Sequence, residues 1–241
     1  RPWCYFPDTK SGRKVGNRTV RNPLSKTIEQ IKPSGIRKFF DIVSEMPHAI
    51  SLGVGEPDFD TPWHVRSEGI RSLEKGRTFY TSNSGLIELR QEICKWYQRK
   101  YNVLYDYKTE ALLTVGGSEG IDVALRAMLD PGDEVIIPEP CYVSYVPCVQ
   151  LIGAVPVTIE LKNENQFRLT PEELLAAITD KTKILILAFP SNPTGAVMTK
   201  EDLEPIAKIC QEKDIYVISD EIYSELTYGG QKHCSISSLP G

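Results

Sequence analysis

The residues of this chain with the means to do chemistry sit in four short segments, each placed just after an apolar run. Gly116-Gly117-Ser118-Glu119-Gly120 follows Leu112-Leu113-Thr114-Val115 and opens a helical pattern. Glycines at such a junction expose backbone N–H groups at a helix N-terminus, and the Ser118 hydroxyl adds a donor, which suits a phosphate. A glycine turn with Ser118 as a plain N-cap explains the segment equally well. Pro138-Glu139-Pro140-Cys141-Tyr142 presents an aromatic ring on a constrained loop. That ring could stack on a planar ligand, or Tyr142 and Tyr145 could simply pack in the core. Phe189-Pro190-Ser191-Asn192-Pro193-Thr194-Gly195 has the composition of an ordinary turn. Ser219-Asp220-Glu221-Ile222-Tyr223 sets two adjacent acids at the end of a strand-like run. A carboxylate there is costly to bury unless it meets a cation, and a structural salt bridge would serve either acid taken singly.

Such segments need elements to hold them. From Leu112 onward the pattern is strand, helix, strand: a strand over 112–115, a helix over 118–129, a turn at Asp130-Pro131-Gly132-Asp133 and a strand over 134–137. The same rhythm predicts strands over 154–161, 183–189 and 215–219, with helices over 171–178 and 199–213. Lys183-Ile184-Leu185-Ile186-Leu187-Ala188-Phe189 is apolar on both faces, as a parallel strand covered by helices must be. Upstream, Leu86, Leu89, Ile93, Trp96 and Tyr97 mark one face of an amphipathic helix, and another helix is expected near 62–75. Ile36, Phe39, Phe40 and Val43 fit a short helix, and Ala49-Ile50-Ser51-Leu52 a short strand. Residues 1–20 carry no helical or alternating period and read as a poorly ordered leader. The fold class is α/β, with a three-layer, mostly parallel sheet flanked by helices. Ligands of such sheets gather at the carboxyl ends of the strands, where all four segments lie.

Composition excludes several alternatives. The 241 residues carry 28 Lys+Arg against 32 Asp+Glu, a net charge of −4, and are 41% hydrophobic and 25% charged. That balance, with no basic block, argues against a nucleic-acid binder. The longest apolar run, Ile184 to Phe189, is far short of the roughly 20 residues that a membrane helix needs. None of the 6 cysteines forms a C-x-x-C pair and the 3 histidines are scattered, so no metal is expected. Reduced thiols and the lack of a secretion signal point to a cytoplasmic protein.

Taken together and in this order, the segments resemble the class I aminotransferases, which are fold-type I pyridoxal-phosphate enzymes. The resemblance rests on Ser51-Leu52-Gly53-Val54-Gly55-Glu56-Pro57-Asp58-Phe59, Pro190-Ser191-Asn192-Pro193-Thr194-Gly195 and Ser219-Asp220-Glu221-Ile222-Tyr223, and it covers roughly residues 21–241. It implies that pyridoxal 5′-phosphate is the cofactor and that Asp220 pairs with the pyridine nitrogen. Asn192 and Tyr223 would donate to the phenolic oxygen, Tyr142 would stack on the ring, and Gly117, Ser118 and Glu119 would form the phosphate cup. Gly55 would lie near the substrate carboxylate. Tyr80 would reach the cofactor phosphate of a neighbouring subunit, which implies a homodimer. Asp220 and Tyr223 are thus the catalytic candidates. The implied reaction moves an amino group between an L-amino acid and a 2-oxo acid; Ser34-Gly35-Ile36-Arg37 and Pro57-Asp58-Phe59 resemble the branch with aromatic, aspartate or alanine donors.

The family's Schiff-base lysine lies in a Ser-x-x-Lys segment well beyond the acid matched by Asp220, and no such motif follows here. Lys232, in Gly229-Gly230-Gln231-Lys232-His233, lacks it. The expectation is therefore a leader over 1–20, an N-terminal arm over 21–60 that contributes to a small domain, and a partial large domain over 61–241, incomplete at its C-terminus and inactive alone. Two rivals stand beside it: a β-lyase or aminocyclopropane-carboxylate synthase of the same fold, and a non-catalytic fragment.

Overall fold

Strand β5 (Thr182–Ala188) is the centre of the architecture, because its residues can be buried only if something covers both faces. The computed structural model describes residues 14–15, 18–19, 22–31, 42, 45, 46, 48, 50, 55 and 59–240. The expected helix over 36–43 apart from Ile42, the strand over 49–52 apart from Ile50 and the Ser51–Phe59 motif apart from Gly55 and Phe59 lie outside them. Four parallel strands, β3 (Glu134–Glu139), β4 (Val155–Glu160), β5 (Thr182–Ala188) and β6 (Tyr216–Asp220), form one sheet in the order β4-β3-β5-β6. Within the expected leader, β1 (Lys14–Val15) and β2 (Arg18–Thr19) pair antiparallel.

Alternation along each strand splits the core in two. Val135 and Ile137 of β3 and Ile184 and Ile186 of β5 face α4 (Gly117–Met128) and α5 (Tyr145–Ile152), packing with Ile121, Leu125 and Val149. Ile136, Leu185 and Leu187 face the other way, against α6 (Pro171–Ala177) and α7 (Lys200–Glu212), with Leu174, Leu203 and Ile206. Three layers result, as the apolar run in β5 requires. Both distal helices start at capping boxes. Thr170 accepts from the Glu173 N–H at 3.3 Å while Glu173 accepts from the Thr170 N–H at 3.1 Å, and Thr199 and Asp202 repeat the arrangement. The 130–133 turn closes as expected, with Gly132 at φ +97°, where only glycine is unstrained.

Helices α1 (Lys26–Gln30), α2 (Trp63–Glu74) and α3 (Ile87–Tyr101) precede the sheet. The strand expected over 112–115 is absent. A strand exists only through its ladder, and no neighbour pairs with this segment among the described residues: the Leu113 N–H donates to the Ser84 carbonyl at 3.1 Å, and Val115 is 91% exposed. Among the described residues no helix is long and apolar enough to cross a membrane, and no cluster of side chains could hold a metal.

The packing argument sets a ranking. Leu125→Ala, which empties a fully buried position, should cost about 3 kcal/mol, and Thr199→Ala, which removes one cap, about 1 kcal/mol, both read from urea unfolding midpoints. Equal losses would remove the two-core account.

Candidate functional site

The same alternation decides where the two adjacent acids point. Val217 packs into the α6/α7 core and Ile218 into the α4/α5 core, so Asp220, two residues on, lies on the α4/α5 side and Glu221 opposite. Parallel register sets Asp220 beside Ala188, so the segments after β3, β5 and β6 all leave from the same edge of the sheet.

On the Asp220 side stands Tyr145, the first residue of α5. Its ring is 3% exposed and its hydroxyl donates to Asp220 Oδ2 at 2.7 Å, while the Ile222 N–H donates to Oδ1 at 3.2 Å. Burial, and then the carboxylate it faces, push the Tyr145 phenol far above its ordinary value, so it stays a donor at any physiological pH. Tyr142 packs edge-on against it, with centroids 5.6 Å apart and planes at 76°. The hydroxyls of Ser144 and Ser118 lower the Tyr142 pKa, which brings the N-terminus of α4 into the same cluster. Gly116, at φ +83°, is the N-cap and no side chain caps the helix, so Ser118 is not the N-cap residue. The first N–H groups of a helix have no partner within it. Glu119 turns its carboxylate back onto the Val115 N–H. Burial and the nearby Glu139 push the Cys141 thiol up to about 11.

Glu221 is served quite differently. Its Oε1 accepts from Ser235 Oγ at 2.8 Å and Ser219 Oγ at 2.9 Å, and its Oε2 lies 3.1 Å from His233 Nε2 without hydrogen-bond alignment. Burial alone would raise its pKa; the histidine and the two hydroxyls outweigh that and hold it below the ordinary 4.5. A cavity of about 560 Å³ opens on this far face, lined by Tyr97, Tyr105, Ser219, Glu221 and Ser235, and reaches none of Ser118, Tyr142 and Asp220. Away from this cavity, the Asp220 face combines an acid, a planar ring and free helix N–H groups.

The chain matches known proteins in sequence and fold. The family model for aminotransferase class I and II covers residues 47–239. The chain belongs to the class I and II aminotransferases. It is 44% identical over 218 residues to aromatic-amino-acid aminotransferase 2 of Thermococcus litoralis and 45% identical over 218 residues to an aspartate aminotransferase of Pyrococcus abyssi; each match takes in 90% of this chain and 56% of the relative. The crystal structure of Thermus thermophilus aspartate aminotransferase with maleate superposes with a TM-score of 0.85 at 38% identity, over 90% of this chain and 58% of that one. The chain thus spans little more than half the length of the aminotransferases it matches.

Of the residues expected at an aminotransferase site, Ser118, Tyr142 and Asp220 come together, and Gly117 and Glu119 lie on the adjoining first turn of α4. Asn192 follows the end of β5 and Tyr223 the end of β6; neither side chain has a hydrogen bond among the described residues. Tyr80 is fully exposed, and nothing among the described residues lies within 4 Å of where a Cβ on Gly55 would stand. Tyr145, weighed at the sequence level only as core, is the residue that the sequence did not single out. Its sole signal was its three-residue offset from Tyr142 at the start of a helix.

The lowered pKa of Glu221 makes a stability statement with a definite sign. Its contribution is present above pH 4.5 and is lost as pH falls through the lower folded value. Glu221→Gln should flatten the acid limb of a stability–pH curve, measured by urea midpoints taken at neutral pH and stepwise below 4.5. An unchanged acid limb would show that the Ser219–Ser235–His233 contacts do not favour the charged form.

Proposed function

We propose that the Asp220 face is the cofactor-holding part of a pyridoxal-phosphate-dependent aminotransferase. Residues 61–241 would then belong to its large domain, residues 21–60 to an N-terminal arm, and residues 1–20 to a leader outside the matched region. The observation that carries the reading is the unequal provision for two neighbouring carboxylates. Glu221 has the His233 imidazole 3.1 Å away and two serine hydroxyls, whereas Asp220 has two donors and, among the described residues, no cation within salt-bridge distance. A protonated pyridine would supply that charge, so the residues present fit the group. When bound, pyridoxal phosphate supplies an electron sink for the pair left behind when the amino acid loses its Cα proton.

The chain's own residues would act around it as follows. Asp220 holds a proton on the ring nitrogen, and Tyr142 covers one ring face and keeps water from it. The N–H groups of Gly117, Ser118 and Glu119, with the Ser118 hydroxyl, bind the phosphate at a helix end whose dipole favours anions. Asn192 and Tyr223 donate to the phenolic oxygen and stabilise its charged form. Gly55 leaves backbone free for the substrate carboxylate. Tyr80, fully exposed on its own chain, is suited to reach the phosphate of a second subunit in a homodimer. The substrates would be an L-amino acid and a 2-oxo acid, and the aspartate and aromatic aminotransferases among the relatives support donors of those kinds. The base that moves the Cα proton, the Schiff-base lysine, would come from chain beyond these 241 residues, so the chain alone would bind cofactor without turnover. A cytoplasmic location is consistent with the scattered cysteines.

Asp220→Ala, in a form that carries the lysine segment, should lower transamination by about 100-fold or more with an unchanged circular dichroism spectrum. Undiminished turnover would overturn the assignment. The 241-residue chain should bind pyridoxamine 5′-phosphate, followed by its fluorescence, while producing no oxo acid.

A further inference from the structure

Resting on that reading, we propose that Tyr145 is a positioning residue that aims the Asp220 carboxylate at a ring nitrogen, so that the site selects a nitrogen heterocycle over the same ring with carbon in that place. The argument starts from how the phenol is held. Tyr145 is 75 residues from Asp220 in sequence, and its ring is wedged in the core shared by α4, α5, β3 and β5, among Ile121, Leu125, Val149 and Ile186. Packing of that density leaves the ring one rotamer and therefore its oxygen one place. From that place it donates to Oδ2 at 2.7 Å, while the Ile222 N–H takes Oδ1 at 3.2 Å. Gripped at both oxygens, the carboxylate has a fixed plane, and its remaining lone pairs are free to accept from a ring N–H.

The same ring also buttresses Tyr142, which meets it edge-on at 5.6 Å. One buried side chain thus fixes the direction of the acid and supports the aromatic residue that would lie on the heterocycle. A phenol kept protonated by burial donates to the acid without competing for its charge. Core packing alone would be met by phenylalanine. The hydroxyl is the part that packing does not need, and it is aimed at Asp220, which among the described residues has no cation within salt-bridge distance.

The test uses the 241-residue chain and two probes: pyridoxamine 5′-phosphate and its analogue with C–H in place of the ring nitrogen. The wild type should prefer the nitrogen compound by about tenfold to hundredfold, the range of a hydrogen bond to a charged group. Tyr145→Phe keeps the ring and should cut that preference by about fivefold or more, with a thermal melt close to wild type. Asp220→Asn should abolish the preference, and adding Tyr145→Phe to it should change nothing further, since the phenol acts through the acid. Tyr145→His, which retains a donor, should restore part of the preference and stands in should the phenylalanine variant fail to fold. A merely structural tyrosine would weaken both probes by one common factor and leave their ratio intact, and that result overturns the proposal while the cofactor reading stands. Equal affinities for the two probes in the wild type would overturn both.

Discussion

Ile184, Leu185, Ile186 and Leu187 are each at most 2% exposed, so β5 has helices against both of its faces, and this two-sided burial governs the rest of the molecule. A one-residue slip would exchange the two apolar sets between cores of different shape. Register is therefore fixed along β3, β5 and β6, and the loops that leave their carboxyl ends are fixed with it. The site inherits its precision from the sheet: Asp220 stands beside Ala188 because Ile186 and Ile218 are paired two residues earlier in a ladder that cannot shift. Side chains on loops are accurately placed when their anchors are rigid.

The two adjacent acids show how one strand end can serve two purposes. Pleating sends Asp220 and Glu221 to opposite faces, where they meet different chemistry. Glu221 faces His233 and is braced by the hydroxyls of Ser219 and Ser235, which ties the segment around residues 233–235 to the end of β6. That bond closes a loop of which Tyr223 is a member. Asp220 is braced by a phenol and an amide, which orient a charge without cancelling it. Orientation without neutralisation is what a site for a cationic ligand requires, since an internal cation would have to be displaced on binding.

Much of this was legible in the sequence because it depends on local signals. The apolar run of β5 and the glycine of the 130–133 turn each specify their structure within a few residues and were found where expected, and the Thr-x-x-acid boxes that start α6 and α7 are signals just as local. Leu112 to Val115 failed for the opposite reason: its composition suits a strand, but a strand is a relation to a neighbour, and composition does not say whether the neighbour is there. Tyr145 was legible only as an apolar body, since the value of its hydroxyl comes from a partner 75 residues away. The differing fates of the two acids were likewise hidden, because the face each takes depends on the pleat and the histidine and serine that meet Glu221 arrive from a later loop.

Cys141 shows one more outcome of the way the Tyr142 loop is built. With its thiol raised to about 11, almost none of it is thiolate at neutral pH, and thiolate is the form that attacks disulfides, alkylating agents and peroxides. Here it is a small hydrophobe on the loop that carries Tyr142, with little of the thiolate that oxidants attack.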